Sequence, residues 1–531
     1  MKSKILIIIL SSFIIIHAQD DKSKNPNVEL PDFVITGKSQ LNIKKVDKMK
    51  PDFVSSVNED FIKPSYSPEE LEISEFSNPL KSDLSFLNDV SFFKGNIAAG
   101  IGLYTIPTVS ANYAYPFNNG ILEGMASGNF IRAYEDNTDR YRTRFGFNFT
   151  YWSDIEGEVF PGTQFNINGN YGTNSFKFFA SDNPEERRSL NYGKLEVDLK
   201  NDFGKNFLFR LNLSNNVTNI SQEVFKENNL RFKGEALLKL AAVNVGTAID
   251  YRNHSITNLL GDATGKNFLL LRPTAGLFFT KLIKGTVGWT FSRGAGETFN
   301  GVYASVAIKL DKNITLFGEY APTTEFLSPG NYVVKNNYFK VDSVGSLYWE
   351  KSNALTASVK YEFDKYFQID GGLKYFTSDA YPYFGPSSDS GKFDLHYADM
   401  KNISPYANFL FYLGPYGEFY SSVELSDIRD LDGNQIPYLS IFNLDASYSY
   451  KFNNGLTSKV KLEYQSNRFA DIKNEISIGD YFDLGLAFIY SFQPNLDLTL
   501  DLNNILNRKN YFWYGYQEVP LNIIIGINYR L

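Results

Sequence analysis

From about residue 95 to the last residue, apolar and polar positions alternate along the chain in segments of roughly ten residues, the span a tilted strand needs to cross a bilayer. In 441–452 one face carries Phe442, Leu444, Ala446, Tyr448, Tyr450 and Phe452, and the other Asn443, Asp445, Ser447, Ser449 and Lys451. Segment 481–492 repeats the pattern with Phe482, Leu484, Leu486, Phe488, Tyr490 and Phe492. In 496–503 Leu496, Leu498, Leu500 and Leu502 oppose Asp497, Thr499, Asp501 and Asn503. A period of two throws alternate side chains to opposite faces, so each strand has one oily and one wet surface. A soluble sandwich shows the same period, but aromatics gathered at strand ends suit an interfacial girdle.

The connections alternate as well. Short turns fall at Asn118-Asn119-Gly120, Phe203-Gly204-Lys205, Asp311-Lys312-Asn313, Asp364-Lys365, Gly414-Pro415, Asn453-Asn454-Gly455 and Pro494-Asn495. Longer loops are expected at 215–227, 253–266, 322–353, 377–400, 426–440, 469–480 and 511–520. The fold class is therefore all-β: a large transmembrane antiparallel β-barrel over 95–531, of about 22 strands, with short periplasmic turns and long extracellular loops. The stretch 162–179 is either one strand or a hairpin at Gly172-Thr173-Asn174, and an even total favours one strand.

Before residue 95 the pattern changes. Lys2 and Lys4 precede the apolar run Ile5 to Ile16, and Ala18 offers a small residue for cleavage, so 1–18 is expected to be a signal peptide. Residues 19–94, rich in Asp, Lys, Ser, Asn and Pro, are expected to form a periplasmic or lumenal arm. After Ala18 no apolar run approaches spanning length, so a membrane-resident chain must cross as a barrel.

Composition narrows the chemistry. Aromatics make up 16% of the chain, with 35 Tyr and 46 Phe, which suits strands that face lipid on one side. There is no Cys, which removes disulfides, thiolate metal sites, Cys nucleophiles and a lipoprotein anchor. A formal net charge of −7 gives no basic footprint for nucleic acid. Of the three His, His254 and His396 fall in expected loops without a nucleophile or carboxylate dyad, so they are expected to be solvated. No enzyme, cofactor or metal site is expected. The run Asp427, Asp430, Asp432, Gly433, Asn434 has some calcium-loop character but lacks the closing Glu.

Near the C-terminus the residues resemble a known family. Gly433-Asn434-Gln435-Ile436-Pro437-Tyr438, followed by 442–452, is similar to the Gly-x-x-Ile-Pro-Tyr loop and strand of TonB-dependent receptors. Asn503-Asn504-Ile505-Leu506-Asn507-Arg508-Lys509-Asn510-Tyr511 resembles that family's penultimate strand, and Gly526 to Leu531 resembles the signal read by the barrel-assembly machinery, through Gly526, Tyr529 and Leu531. The final Leu531 departs from the usual Phe or Trp. Leu30-Pro31-Asp32-Phe33-Val34-Ile35-Thr36-Gly37, preceded by Glu29, is similar to the stretch where a TonB box leads into the plug. A mobile strand of this kind can add to a partner's sheet edge, or lie on the barrel's own rim. The resemblance implies a 22-strand barrel, outer-membrane location and TonB as a partner. Only about 55 residues separate Gly37 from the barrel, too few for a full plug domain of that family. A barrel of this size needs its lumen filled, by the arm, by inward loops or by a partner chain.

Two sets of side chains are candidates for function. Arg142 and Arg144 lie opposite Tyr141, Phe145, Phe147 and Phe149. An Arg at mid-bilayer on the lipid face costs roughly 2–4 kcal/mol, so both belong in the lumen, paired with carboxylates or gripping an acidic solute. The aromatic loop residues Tyr338, Phe339, Trp349, Tyr381, Tyr383, Phe384, Trp513 and Tyr514 could stack on a ligand or pack loops together. The expected function is a transport-related outer-membrane barrel, with a non-transporting partner barrel of an outer-membrane complex as the alternative.

Overall fold

The computed structural model describes residues 94–154, 161–201, 206–223, 225–240, 243–257, 267–280, 282–294, 296–311, 313–363, 367–412 and 416–531. The expected signal peptide, the arm before Lys94 and the segment 28–37 lie outside the described residues.

Twenty-two antiparallel strands close into one barrel. The first seven are β1 (Gly95–Gly102), β2 (Thr105–Phe117), β3 (Gly120–Ile131), β4 (Arg140–Trp152), β5 (Gln164–Lys177), β6 (Arg187–Asn201) and β7 (Phe207–Ile220). Next come β8 (Phe225–Leu240), β9 (Val243–Thr257), β10 (Asn267–Thr280), β11 (Ile283–Gly294) and β12 (Glu297–Asp311). β13 runs over Ile314–Tyr320 and resumes at Thr323–Phe326, because Pro322 has no N–H to give the ladder. Then follow β14 (Tyr348–Phe363), β15 (Phe367–Pro386) and β16 (Phe393–Tyr412). β17 (Glu418–Leu425) continues beyond a break as Asp427–Asp430. The last five are β18 (Phe442–Lys451), β19 (Leu456–Phe469), β20 (Ser477–Gln493), β21 (Leu496–Asn503) and β22 (Asn522–Arg530).

Closure is made by β1 against β22, with Asn96 opposite Arg530 and Gly102 opposite Ile524. The Lys94 N–H donates to the Leu531 carbonyl at 2.9 Å and the Leu531 N–H to the Gly95 carbonyl at 2.8 Å. A closed ring leaves no unpaired strand edge, which hydrocarbon demands. Side chains staple the seam from the lumen side. Across it Asn96 Nδ2 donates to Asn528 Oδ1 at 2.9 Å, and beside it Arg530 Nε of β22 donates to Asp497 Oδ2 of β21 at 3.0 Å.

Parity sorts the two faces. On β4, Tyr141, Phe145, Phe147 and Tyr151 are exposed on the outside, while Asn148 and Thr150 on the other face bond to the neighbouring Asn166. On β22, Ile525, Ile527, Tyr529 and Leu531 are exposed, and Asn522, Asn528 and Arg530 face inward. The stretch 162–179 is one strand, as even parity requires.

Strands reach further into the expected loops than the sequence suggests. Most of 215–227 belongs to β7 and β8, which pair Asn216 with Asn229 and Ile220 with Phe225. Segment 377–400 is a long hairpin of β15 and β16. His254 and His396 are therefore strand residues, on β9 and β16. The loop expected at 322–353 is shortened by strand at both ends, Thr323–Phe326 and from Tyr348 onward. Past Phe326 it contains a short helix, α1 (Pro329–Lys335), and a single 3-10 turn at Val341–Ser343.

Candidate functional site

The link between β13 and β14 folds back over the barrel mouth on the long-loop side. Its neck is closed where the Leu327 N–H donates to the Leu347 carbonyl at 2.9 Å. Ser328 caps α1, its Oγ accepting from the Asn331 N–H at 3.3 Å, and Pro329 sits in the first turn, where its missing N–H costs nothing. Beyond the helix, Asn336 Oδ1 accepts from the Tyr338 N–H at 2.9 Å and turns the chain.

From there the loop reaches the far wall. Asn337 touches Asn174 of β5 at 3.3 Å, and β5 and β14 stand nine strands apart in the ring of 22. Val333, Phe339 and Val344 are fully buried against Leu190, Ile220, Phe225, Phe268 and Leu395, which project from β6, β7, β8, β10 and β16. The segment thus forms an apolar roof under which the polar lumen begins. Fully burying one such side chain contributes about 1.5–3 kcal/mol, so the roof carries its own core.

On β16 the Phe393 carbonyl accepts from the Lys340 N–H at 2.8 Å and the Leu395 N–H donates to Ser343 Oγ at 3.0 Å, and two buried side chains of the wall fasten the loop as well. Glu227 of β8 accepts the Gly330 N–H at 2.6 Å through Oε2, and its Oε1 is hydrogen-bonded to His254 Nε2 at 2.5 Å. A Cβ on Gly330 would lie 2.4 Å from Glu227 Oε2, so only glycine lets the helix come this close. Arg188 of β6 donates to the carbonyls of Asn337 and Phe339, both at 2.7 Å, and pairs with Glu223. Its guanidinium also lies over Phe178, 4.7 Å from the ring centre.

A second cluster joins the roof to other loops. Tyr338 stacks on Tyr516 with ring centres 3.4 Å apart, and both pack with Phe176, Phe178 and Phe393. Tyr516 belongs to the small hairpin of Tyr511–Trp513 with Tyr516–Gln517, and its hydroxyl donates to the Gly391 carbonyl at 2.6 Å. Trp513 meets Phe384 edge-on at 5.2 Å and Tyr438 at 4.7 Å. Burial pushes the Tyr338 hydroxyl well above the usual phenol range and lowers the Lys335 ammonium.

The eight aromatic candidates divide accordingly. Tyr338, Phe339, Phe384 and Trp513 are brought together in the roof. Trp349 packs on Tyr381 at 5.1 Å, and Tyr383 lies across from His396 at 5.6 Å. Of the eight, Tyr514 is the exposed one, at 54%. Arg142 and Arg144 lie on the lumen face of β4, beside the Tyr192 side chain, which crosses over Gly172. Gly526 sits where a Cβ would meet the Ala99 carbonyl at 2.8 Å, and Tyr529 points outward. In the run 427–434 Asp430 spends its carboxylate on the Asn434 N–H at 2.7 Å, closing a turn, and among the described residues no acidic or His cluster could hold a metal.

Sequence reasoning missed Arg188, Glu227, His254 and Gly330. His254, expected to be solvated, is fully buried because its ring sits beneath Phe326 and its Nε2 is hydrogen-bonded to Glu227. The signal was present in the loop itself: Ser328-Pro329 opens a helix, and Tyr332, Val333, Phe339, Val341, Val344 and Leu347 are too apolar for a solvated excursion.

No family model matches the sequence, and no curated protein matches it. Solved structures do. The FrpB iron transporter from Neisseria meningitidis (F3-3 variant) aligns with a TM-score of 0.60 at 10% identity, over 82% of this chain and 81% of FrpB. The pyoverdine outer membrane receptor FpvA from Pseudomonas aeruginosa gives 0.59 at 13%, over 84% and 79%. The ferric-catecholate import receptor Fiu from E. coli gives 0.58 at 10%, over 83% and 82%. The fold is that of the TonB-dependent receptors. Within this receptor-type barrel, the described residues contain no separate plug domain, and the roof is a loop of the wall itself.

Proposed function

We propose that this chain is an outer-membrane transport barrel that takes a solute at its outer loops and passes it inward, coupled to TonB through residues 28–37. The observation that carries this reading is the roof: a receptor-type barrel whose outer mouth is covered by its own loop, held by an apolar core and by polar contacts to β6, β8 and β16. Such a cover is a two-state element, latched or released, and a solute that binds the released state better opens it. In this reading the exposed Tyr514 meets an arriving solute, while Tyr338, Phe339, Phe384 and Trp513 act in the cover. The strand-prone segment 28–37 supplies main-chain hydrogen-bonding groups for a partner's sheet edge. The terminal strand, with Gly526, Tyr529 and Leu531, is read by the barrel-assembly machinery.

Growth on limiting nutrients tests it. Cells carrying the full chain, a deletion of 28–37 or no chain are compared on single solutes, with equal barrel levels in the outer membrane. The reading expects a solute on which both deletions grow poorly. Loss with the whole-chain deletion alone contradicts TonB coupling, and no loss on any solute contradicts transport.

A further inference from the structure

The lumen wall is charged unevenly around its circumference, and the register shows how. Ladder partners share a face. One lumenal rung runs from Asn148 through Asn168, Glu196 and Ser214 to Arg231 and Arg252, across β4 to β9. Arg142 and Arg144 precede it on β4, and Lys194 lies one lumenal position from Glu196 on β6. Asp250 is clasped between Arg231 and Arg252, Glu196 is paired with Lys194 and Glu235 with Lys233, and Asp198 accepts from Asn212; with Arg142, Arg144 and Arg272 of β10 on the same face, the cations of this wall outnumber its carboxylates.

The other wall is the reverse. A rung across β15 to β20 reads Asp370, Asn408, Ser422, Asp445, Glu463 and Asp483. Asp501 extends the acidic wall on β21, opposite Ala487 of β20. The lumen-face cations of this wall are Lys374, nearer the long-loop rim than Asp370, and Lys451, Lys459 and Lys461, nearer the short-turn rim than the rung, and the carboxylates outnumber them once Glu418 and Glu424 of β17 are included. The cationic sector β4–β10 is centred on β7 and the acidic sector β15–β21 on β18, eleven strands away in a ring of 22. The two sectors therefore face each other across the lumen. Low-dielectric walls of opposite charge focus the potential between them, to several kT.

We propose that the lumen carries a standing transverse field and conducts a solute with separated charges of both signs. Its anionic part is drawn to β4–β10 and its cationic part to β15–β21. This rests on the transport reading, but the field itself can be measured without transport.

The absence of Cys allows the wall to be probed one position at a time. Ser422→Cys lies beside Asp445 on the acidic wall, and Asn170→Cys beside Lys194 on the cationic wall. Each full-length variant, recovered folded from outer membranes, is reacted with size-matched cationic, anionic and zwitterionic methanethiosulfonates. At low salt the cationic-to-anionic rate ratio is expected to be about tenfold or more higher at 422 than at 170. In 1 M salt, where the Debye length is about 3 Å, the difference should shrink. Asp445→Asn, Glu463→Gln and Asp483→Asn together should bring the ratio at 422 toward that at 170. The zwitterionic reagent should react at both walls. Equal ratios at low salt, a zwitterion excluded from both, or no reaction at either position would overturn the proposal. None of these outcomes involves uptake, so failure here is separate from failure of the TonB-coupled reading.

Discussion

Glu227 and Gly330 meet at 2.6 Å, the carboxylate of a wall strand accepting the backbone N–H at the start of the roof helix. The contact is buried, so breaking it leaves an unsatisfied donor or acceptor, at a cost of about 1–3 kcal/mol. Gly330→Ala forces the helix away from the wall, since its new Cβ would collide with Glu227 and Thr218. We expect hydrogen exchange over 329–340 to quicken by roughly ten- to a hundredfold on that energy scale, with the strand amides unchanged. Unchanged exchange in the roof would show that this contact does not hold it.

Arg188 secures the same loop from β6, through two carbonyls at 2.7 Å. A lysine keeps the charge but lacks the planar fork that reaches both. Arg188→Lys and Arg188→Leu should therefore both loosen the roof, with the larger effect from leucine, which also strands Glu223. The readout is entry of a bulky hydrophilic antibiotic into cells, expected to rise in both variants over the unmodified chain.

The stacked pair Tyr338 and Tyr516 couples the roof to the β21–β22 loop. A double-mutant cycle of Tyr338→Leu and Tyr516→Leu, followed by local exchange of the roof, should give a coupling of about 0.5–1.5 kcal/mol. Additive effects would mean that the two loops move independently.

The barrel was legible because lipid on one side and water on the other impose a strict period of two, as in β18 with its alternating Leu444, Asp445, Ala446 and Ser447. Loop lengths were not. The Asn-rich ends of β7 and β8 resemble turn composition, yet Asn216 and Asn229 are ladder partners on a wet wall where polar side chains suit a strand. The roof was hidden for a different reason. Its anchors, Arg188, Glu227 and His254, come from three strands distant in sequence from residue 330, and no local pattern records which wall a loop will touch.

The assignment of faces makes its own prediction. Phe147 and Asn148 are neighbours on β4, one outward and the other lumenal. Phe147→Arg should impair assembly, as about 2–4 kcal/mol is lost for a mid-bilayer arginine, while Asn148→Arg should be tolerated. Heat-modifiable migration on gels, which separates folded from unfolded barrels, reports the difference. Equal folded fractions would reverse or erase the assigned faces.

The central claim is that the β13–β14 loop closes the outer mouth of the barrel. Intact cells bearing Asn170→Cys, a lumen position beneath the roof, can be treated with a bulky, membrane-impermeant maleimide. The full-length chain should stay unlabelled. A version in which 328–346 are replaced by a short Gly-Ser turn across the Leu327–Leu347 neck should be labelled. Labelling of the full-length chain to the same extent, or none after the replacement, would contradict the claim.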